Sequence, residues 1–475
     1  MPEMLSVEAY VAEVLAALAP LPAADTPLAA AHGLVLAQDV AAALPVPPWT
    51  NSAMDGYAVR AQDTGSAAPQ APVVLPVTGD VPAGAAPGPL VPGTAQRIMT
   101  GAMMPENADA VVKVEDTNQA PGPHPPPVEV EIRAAAKSGL NVRRAGEDVG
   151  IGDPVLAAGT PLSAAAVASL ASVGLGAVRA FPRPRVAIVS TGAELVDPGR
   201  ALPVGAVPDS NSLLLAGLVA EHGARLASVS RSGDTAASLA EALTEAAHGA
   251  DIIVTSGGVS AGAFDPLVML AEDGILTDGA VRLRLTKVAM QPGKPQGHGT
   301  VRIEDGGTSR QVPVITLPGN PVSVLVSFTT VVVPALARLA GHDVLPRPLT
   351  GGGARRAQGA APTRVRAAAA WRTPPGRRQY LPVRFVDAPD GMTADPPAPG
   401  AAPESTTLWV EPTHRLGSGS HLVASLPAAE ALAVVGEDVP EVGVGDEVGL
   451  IALSASAAPG SGHPRCGPAA SVGWR

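Results

Sequence analysis

Three short stretches carry the residue types that bind anions. In IVSTGAEL, VTSGGVSAGAFD and TLPGNPVS an apolar run gives way to glycine with serine or threonine, and then to a helix-like stretch. Glycine lets a backbone approach a ligand closely, and the free N–H groups at a helix start attract negative charge. The residues concerned are Ser190, Thr191 and Gly192, then Ser256, Gly257, Gly258 and Ser260, then Pro318, Gly319, Asn320 and Ser323. A single loop of this kind is commonly only a turn. Three of them, each with hydroxyls that no turn requires, point to a shared ligand site. Neither GxxxxGK[ST] nor a well-placed GxGxxG occurs, which excludes a P-loop and an ordinary dinucleotide fold.

Beside the loops lies KVAMQPGKP. Lys113, Lys137, Lys287 and Lys294 are the only lysines among 32 basic residues, and this stretch holds two of them. A solvated strand end would explain them, but a compact ammonium on a flexible stem also serves as a point charge on phosphate or another oxyanion. Acids lie close by. Glu194 falls within the first loop, while Asp234 in RSGDT and Asp265 in AFDP stand before helices, where a carboxylate can act as a cap. If all three face the ligand they suit Mg²⁺, which takes oxygen ligands and shares substrate phosphates. No Ser-His-Asp arrangement can be located, and His32, His124 and His298 read as loop or surface residues.

Two dense motifs lie upstream. PPWTNSAMDGYAVRAQD gathers Trp49, Asn51, Ser52, Met54, Asp55, Gly56 and Tyr57, and RIMTGAMMPENADAVVKVED adds Thr100, Gly101 and Asp109. Tight polar turns in a β module are one explanation; the density of special residue types favours a binding edge.

These residues need elements to hold them. Val7, Val11, Val14, Leu15 and Leu18 share one helical face, with Ser6 as N-cap and Pro20 as a stop. From Pro45 to about Arg144, short Val-rich runs (PVVLPV, ADAVVKVE, PVEVEIR) separated by Pro and Gly predict a β-rich module. LSAAAVASLASVG predicts a second helix. From Arg185 to about Gly341 the rhythm is strand, loop, helix: RVAIVS, RLASVS, DIIVT and VPVITL each precede a helical stretch, which predicts a parallel sheet covered on both faces. After Leu345 the chain reads as β again, in RVRAAAAW, RQYLPVRF, HLVASL and ALAVV. The last ~20 residues, with Cys466, read as a disordered tail.

Composition narrows the classes. The 475 residues predict three or four domains, and 46% hydrophobic against 16% charged residues predicts folding despite 52 glycines and 51 prolines. With four Phe, three Tyr and four Trp, the core must be built of Ala, Val and Leu. A net charge of -11 without a basic stripe argues against nucleic acid. A single cysteine excludes an internal disulfide and a Cys-based metal site. Val322–Ala340 is the best membrane candidate, but its Ser, Thr, Pro and Arg residues argue against a span. The acidic start MPEMLSVEAY is no signal peptide, so a cytoplasmic protein is expected.

SAMDGYAVR, RIMTGA, NVRRAGEDV, VSTGAEL, TSGGVS, PGKP, LPGNPVS, PGRRQYLPV and GSGSHL occur in this order. From about Leu5 to Leu453 the chain resembles the molybdopterin molybdenumtransferases, the bacterial molybdenum-insertion family related to the gephyrin E domain. The resemblance implies a multidomain α/β plus β fold: a helical and extended linker domain (1–44 and 146–180), a β-rich inserted domain (45–145), an α/β molybdopterin-binding domain (181–344) and a C-terminal β-barrel-like domain (345–453), with 454–475 as tail. It implies a homodimer with a cleft shared between subunits, and Mg²⁺-dependent insertion of molybdate into adenylylated molybdopterin with release of AMP. By the same resemblance Asp234 and Asp265 match metal-coordinating acids and Glu194 a loop glutamate. Lys287, Lys294 and Ser323 match positions that cradle substrate and molybdate, and Arg377 and Ser420 match molybdate-binding ones. Asp55, Thr100, Arg143 and Asp148 match functional positions of the second domain. Gln291 stands where many relatives have lysine, and Ala193 and Ala263 replace acids, so the cleft carries less charge of both signs. A molybdopterin adenylyltransferase shares the α/β fold but is about one domain long. A non-catalytic molybdopterin-binding scaffold is the other alternative. That adenylyltransferase and receiving molybdoenzymes are the expected transient partners.

Overall fold

The computed structural model describes residues 4–258, 280–342, 365–392, 407–414 and 419–453. Ser260, Ala263, Asp265 and the segment with Cys466 lie outside the described residues. Residues 23–180 form one compact unit; the two ends of the chain, up to 22 and from 181 on, form another. The opening helix, α1 (Val7–Ala16), is capped by Ser6, whose hydroxyl accepts from the Ala9 N–H. Its buried stripe of Val7, Tyr10, Val11, Val14 and Leu15 shares a core with Val186, Leu215 and Phe328. The helix thus belongs with the α/β sheet, whereas the sequence reading grouped it with residues 17–44 and 146–180.

In the unit of residues 23–180, β1 (Gly56–Val59), β2 (Val73–Val81), β3 (Ala95–Ile98), β4 (Ala110–Lys113) and β5 (Glu129–Ile132) form one sheet in the order β4-β1-β3-β2-β5. Pro and Gly keep the strands short, and Tyr57, Val59, Leu75, Val112, Val130 and Ile132 fill a common core. Gly56 permits β1 to sit against β4: a Cβ there would lie 2.0 Å from the Val112 carbonyl oxygen. A separate core, including Leu28, Leu34, Leu36, Leu162 and Val178, takes in Ala166 and Leu170 of α2 (Ala164–Ser172).

In the other unit, β6 (Arg185–Thr191), α3 (Ser210–Glu221), β7 (Arg225–Ser232), α4 (Ala236–Gly249), β8 (Ile252–Ser256), β9 (Val281–Lys287), β10 (Pro295–Asp305) and β11 (Thr308–Leu317) build a six-stranded sheet. Its order is β7-β6-β8-β11-β10-β9. The first four strands run parallel, as the apolar runs predict; β10 and β9 extend the sheet antiparallel. Alternate residues serve opposite faces. Val186, Ile188, Val254 and Ile315 meet α1 and α3, while Ala187, Val189, Ile253 and Val314 meet α4. His298, read as a loop or surface residue, lies half-buried on β10, its ring edge-on to Tyr10 at 5.5 Å; burial pushes its imidazole below the usual value.

After β11 come α5 (Pro321–Ser327), a wider π turn over Phe328–Val332, and α6 (Val333–Leu339). Pro321–Leu339 is long and apolar enough to cross a membrane, but 72% of it is buried inside the protein, with Val324, Val326, Phe328 and Val331 in the core of α1 and α3. The C-terminal strands β12 (Val365–Ala367), β13 (Arg378–Val386), β14 (Leu408–Pro412), β15 (Ala431–Val435) and β16 (Gly449–Ala452) pair in the order β12-β14-β13-β15-β16. The HLVASL stretch, predicted as a strand, is instead a 3₁₀ turn over Val423–Ala428. Pro427 lacks the N–H a ladder needs, and the Ser425 hydroxyl bonds locally to the Leu422 carbonyl at 2.9 Å.

Candidate functional site

A cavity of about 910 Å³ opens beside the carboxyl ends of β6, β8 and β11, between their loops and those of the C-terminal sheet. One wall is made of Thr191, Ser256–Gly258 and Pro318–Asn320. Glycine seats these loops on one another. Gly257 has φ +88°, and a Cβ there would lie 2.8 Å from both the carbonyl oxygen and Oγ1 of Thr191. A Cβ on Gly319 would touch the Gly257 Cα at 3.4 Å. The Gly257 N–H donates to the Leu317 carbonyl at 3.0 Å, and the Thr191 hydroxyl donates to the Ser256 carbonyl at 3.3 Å.

Ser190 precedes Thr191 on a strand and therefore faces the other way. Its hydroxyl lies 2.6 Å from that of Ser212, which donates to Asp209 at 2.7 Å. Asp209 caps α3 through the Ser212 N–H. Ser190 is thus part of the floor behind the wall and does not line the cavity. Gly192, at φ +139°, lies under Glu194, which does line it.

The rest of the lining carries the cations. Lys294, Arg377, Ser323 and Ser420 line the cavity, together with Gln291. No described carboxylate pairs with Lys294 or Arg377, so their charge is available to a ligand. The structure anchors the chain on both sides of them. Met290–Gln291 pairs parallel with Arg378–Gln379 of β13, and the Arg378 N–H donates to the Ala289 carbonyl at 2.9 Å. The buried Arg378 guanidinium binds Glu8 of α1 and, at 3.4 Å, Glu437. Ser420 is tied to the start of α5: its hydroxyl accepts from Asn320 Nδ2 at 3.0 Å and its carbonyl from the Val322 N–H at 3.2 Å. Lys287, by contrast, ends β9 exposed and outside the cavity lining.

Asp234 is also outside the lining. Its Oδ1 accepts from the Ala193 N–H at 2.8 Å and so braces the first loop. Thr235, not Asp234, caps α4, its hydroxyl accepting from the Ser238 N–H. Among the described residues no cluster of three or more His, Cys, Asp or Glu could hold a metal by itself.

Three family models match in series: the MoeA N-terminal region (domain I and II) over residues 5–174, a probable molybdopterin binding domain over 187–338, and the MoeA C-terminal region (domain IV) over 364–453. Molybdopterin molybdenumtransferase 2 of Mycobacterium tuberculosis is 44% identical over 339 residues, covering 71% of this chain and 79% of that one. Molybdopterin molybdenumtransferase 1 of the same organism is 32% identical over 95% of this chain and 99% of its own. The chain belongs to the molybdopterin molybdenumtransferase family. A crystal structure of a molybdopterin biosynthesis MoeA protein from Pyrococcus horikosii, at 29% identity, superposes with a TM-score of 0.70 over 95% of this chain and 100% of that one. The family carries a transferase activity in molybdenum cofactor biosynthesis, and the cavity is lined by residues of the stretches matched by its molybdopterin-binding domain and its C-terminal region.

The molybdenumtransferase motifs of the other unit form a constellation of their own. Asp55 Oδ1 accepts from the Thr100 N–H at 2.7 Å and from its hydroxyl at 2.8 Å, and these bonds hold its carboxyl below the usual carboxylate range. Arg143 pairs across from Asn51 on a two-residue ladder, and Met103 bridges to Asn51 as well. Arg143 and Asp148 are both exposed. Several lining residues escaped the sequence reading, among them Asn211 and His421. Asn211, in the first turn of α3, donates to the Gly319 carbonyl at 2.6 Å, and His421 follows Ser420. The PDSNS stretch, an acid N-cap followed by polar residues where an apolar helix begins, is the signal that could have revealed Asn211.

Proposed function

We propose that the protein inserts molybdate into adenylylated molybdopterin in a Mg²⁺-dependent reaction that cleaves the pyrophosphate linkage and releases AMP. One observation carries the reading: glycine and hydroxyl loops on one wall, and Lys294 and Arg377 on the other, open on a single cavity. A phosphate-rich pterin that meets a tetraoxo dianion needs both. In this reading the backbone N–H groups of Gly258, Gly319 and Asn320, which have no described backbone partner, bind phosphate oxygens. Lys294 and Arg377 hold molybdate, and Ser323 and Ser420 donate hydrogen bonds to it.

The carboxylates suit Mg²⁺, which takes hard oxygen donors and is commonly held by one or two carboxylates plus substrate phosphates. Glu194 in the cavity and Asp234 on the neighbouring loop would hold it, with Asp265 as a third candidate. When bound, Mg²⁺ supplies neutralisation of the charge developing on the cleaved linkage. What this chain's residues do is position the two reactants and stabilise charge, with no covalent protein intermediate. The family resemblance further supports a homodimer as the working species.

The test is incubation of the purified protein with adenylylated molybdopterin, molybdate and Mg²⁺, followed by AMP quantification and reconstitution of a cofactor-free molybdoenzyme. AMP release with reconstitution is expected. Substrate binding without either product would contradict the reading and identify a non-catalytic molybdopterin-binding protein.

A further inference from the structure

We propose that Gln296, which does not line the cavity, is the positioning residue of its anion-binding end. The inference rests on the function proposed above and names the part that sets the geometry of that site. Gln296 follows the Gln291–Pro295 turn that presents Lys294, and it is completely buried. A buried amide is costly unless it is hydrogen-bonded. Its Nε2 donates to the Gly293 carbonyl at 2.7 Å and contacts Ser327 Oγ at 2.6 Å. A carbonyl only accepts, so the amide nitrogen must face Gly293. Oε1 is buried without a described partner, and the Nε2 contacts, with a weaker one to the Met290 sulfur at 3.8 Å, keep the amide oriented.

Those two partners belong to the two sides of the anion site. Gly293 is the residue before Lys294. Ser327 lies one helical turn beyond Ser323 on α5, so a shift of one moves the other. The turn is held at its ends, where Gln291 pairs with Gln379, Pro295 stands opposite Lys287, and the Lys294 carbonyl accepts from the Val288 N–H at 2.8 Å; Pro292 and Pro295 have no N–H, and the Gln296 amide ties its middle to α5. The fit around the amide is close. A Cβ on Gly293, which has φ +106°, would lie 2.9 Å from Ser327 Oγ and 3.2 Å from Gln296 Nε2. A single buried amide therefore ties the turn that carries Lys294 to the helix that carries Ser323. A cradle for a small tetraoxo anion depends on that tie, since a misplacement of ~1 Å can cost about 100-fold in rate.

Gln296→Met keeps the volume and removes both hydrogen bonds; Ser327→Ala removes one of them with little risk to folding. Three readouts apply to each: the Kd for molybdate alone by calorimetry, the molybdate KM and kcat of AMP release, and the melting temperature. A rise of about tenfold in Kd and KM is expected for Gln296→Met, with kcat changed by less than about threefold. Ser327→Ala should shift Kd in the same direction by less, and the double variant should match Gln296→Met, because both act through one contact. A molybdate Kd within twofold of wild type in both single variants overturns the proposal, whatever the melting temperature does. If wild type binds molybdate and releases no AMP, the proposed reaction fails, and the Kd shift still decides the role of Gln296.

Discussion

The two walls of the cavity satisfy their polar groups in opposite ways. On the loop wall nearly everything is spent internally: Thr191 bonds to Ser256, Gly257 to Leu317, Asn211 to Gly319, and Ser190 to the Ser212–Asp209 floor. On the cation wall Lys294 and Arg377 line the cavity without pairing to any described carboxylate, while the backbone that carries them is tied down from behind. The first wall is a preformed shape; the second is a preformed charge. In the proposed reaction, shape that costs no reorganisation would select the bulky phosphate-bearing partner, and unpaired charge on a fixed frame would attract the small dianion.

The comparison fails if both walls respond alike to substitution. The largest effect should come from the charge side: Arg377→Ala should lower kcat/KM for molybdate by roughly 100-fold while the melting temperature stays near wild type. Next is Gly257→Ala on the shape side. The added Cβ meets the Thr191 carbonyl in a left-handed backbone, so stability should fall by about 1–3 kcal/mol, with the KM for the pterin substrate rising more than that for molybdate. Ser190→Ala should cost about 1 kcal/mol in a denaturant titration and leave both KM values within about twofold, because the hydroxyl belongs to the floor. The smallest effect is in the other unit. Asp55 has a depressed folded-state value, so its contribution is present above the ordinary carboxylate range and is lost as pH falls through the folded value. Asp55→Asn should therefore flatten the acid limb of the stability profile below about pH 4 and leave pH 7 activity to report any further role.

Much of this was legible in the sequence. The three loops announce themselves because only glycine with hydroxyls after an apolar run makes that pattern, and the rarity of lysine directs attention to PGKP. What the pattern does not encode is facing. Ser190 and Thr191 are neighbours of similar chemistry, yet strand alternation sends one to the floor and the other to the cavity. Lys287 and Lys294 are seven positions apart, and the turn between them presents only the second. The β9–β10 extension was missed because RLRL and QGHG do not read as apolar runs, although they pair residue for residue from Val281 with Val301 to Lys287 with Pro295. Asp234 looked like a helix cap or a metal ligand; the cap is Thr235, and one oxygen of the carboxylate holds the Ala193 N–H, a contact 41 positions distant that no local pattern predicts.

The most direct test of the two-wall account is AMP release from adenylylated molybdopterin, with Mg²⁺ present, across a range of molybdate concentrations for wild type and Lys294→Ala. The account predicts molybdate-dependent AMP release by wild type and a curve for Lys294→Ala displaced at least about tenfold toward higher molybdate. Superimposable curves, or wild-type AMP release that is indifferent to molybdate, would contradict it.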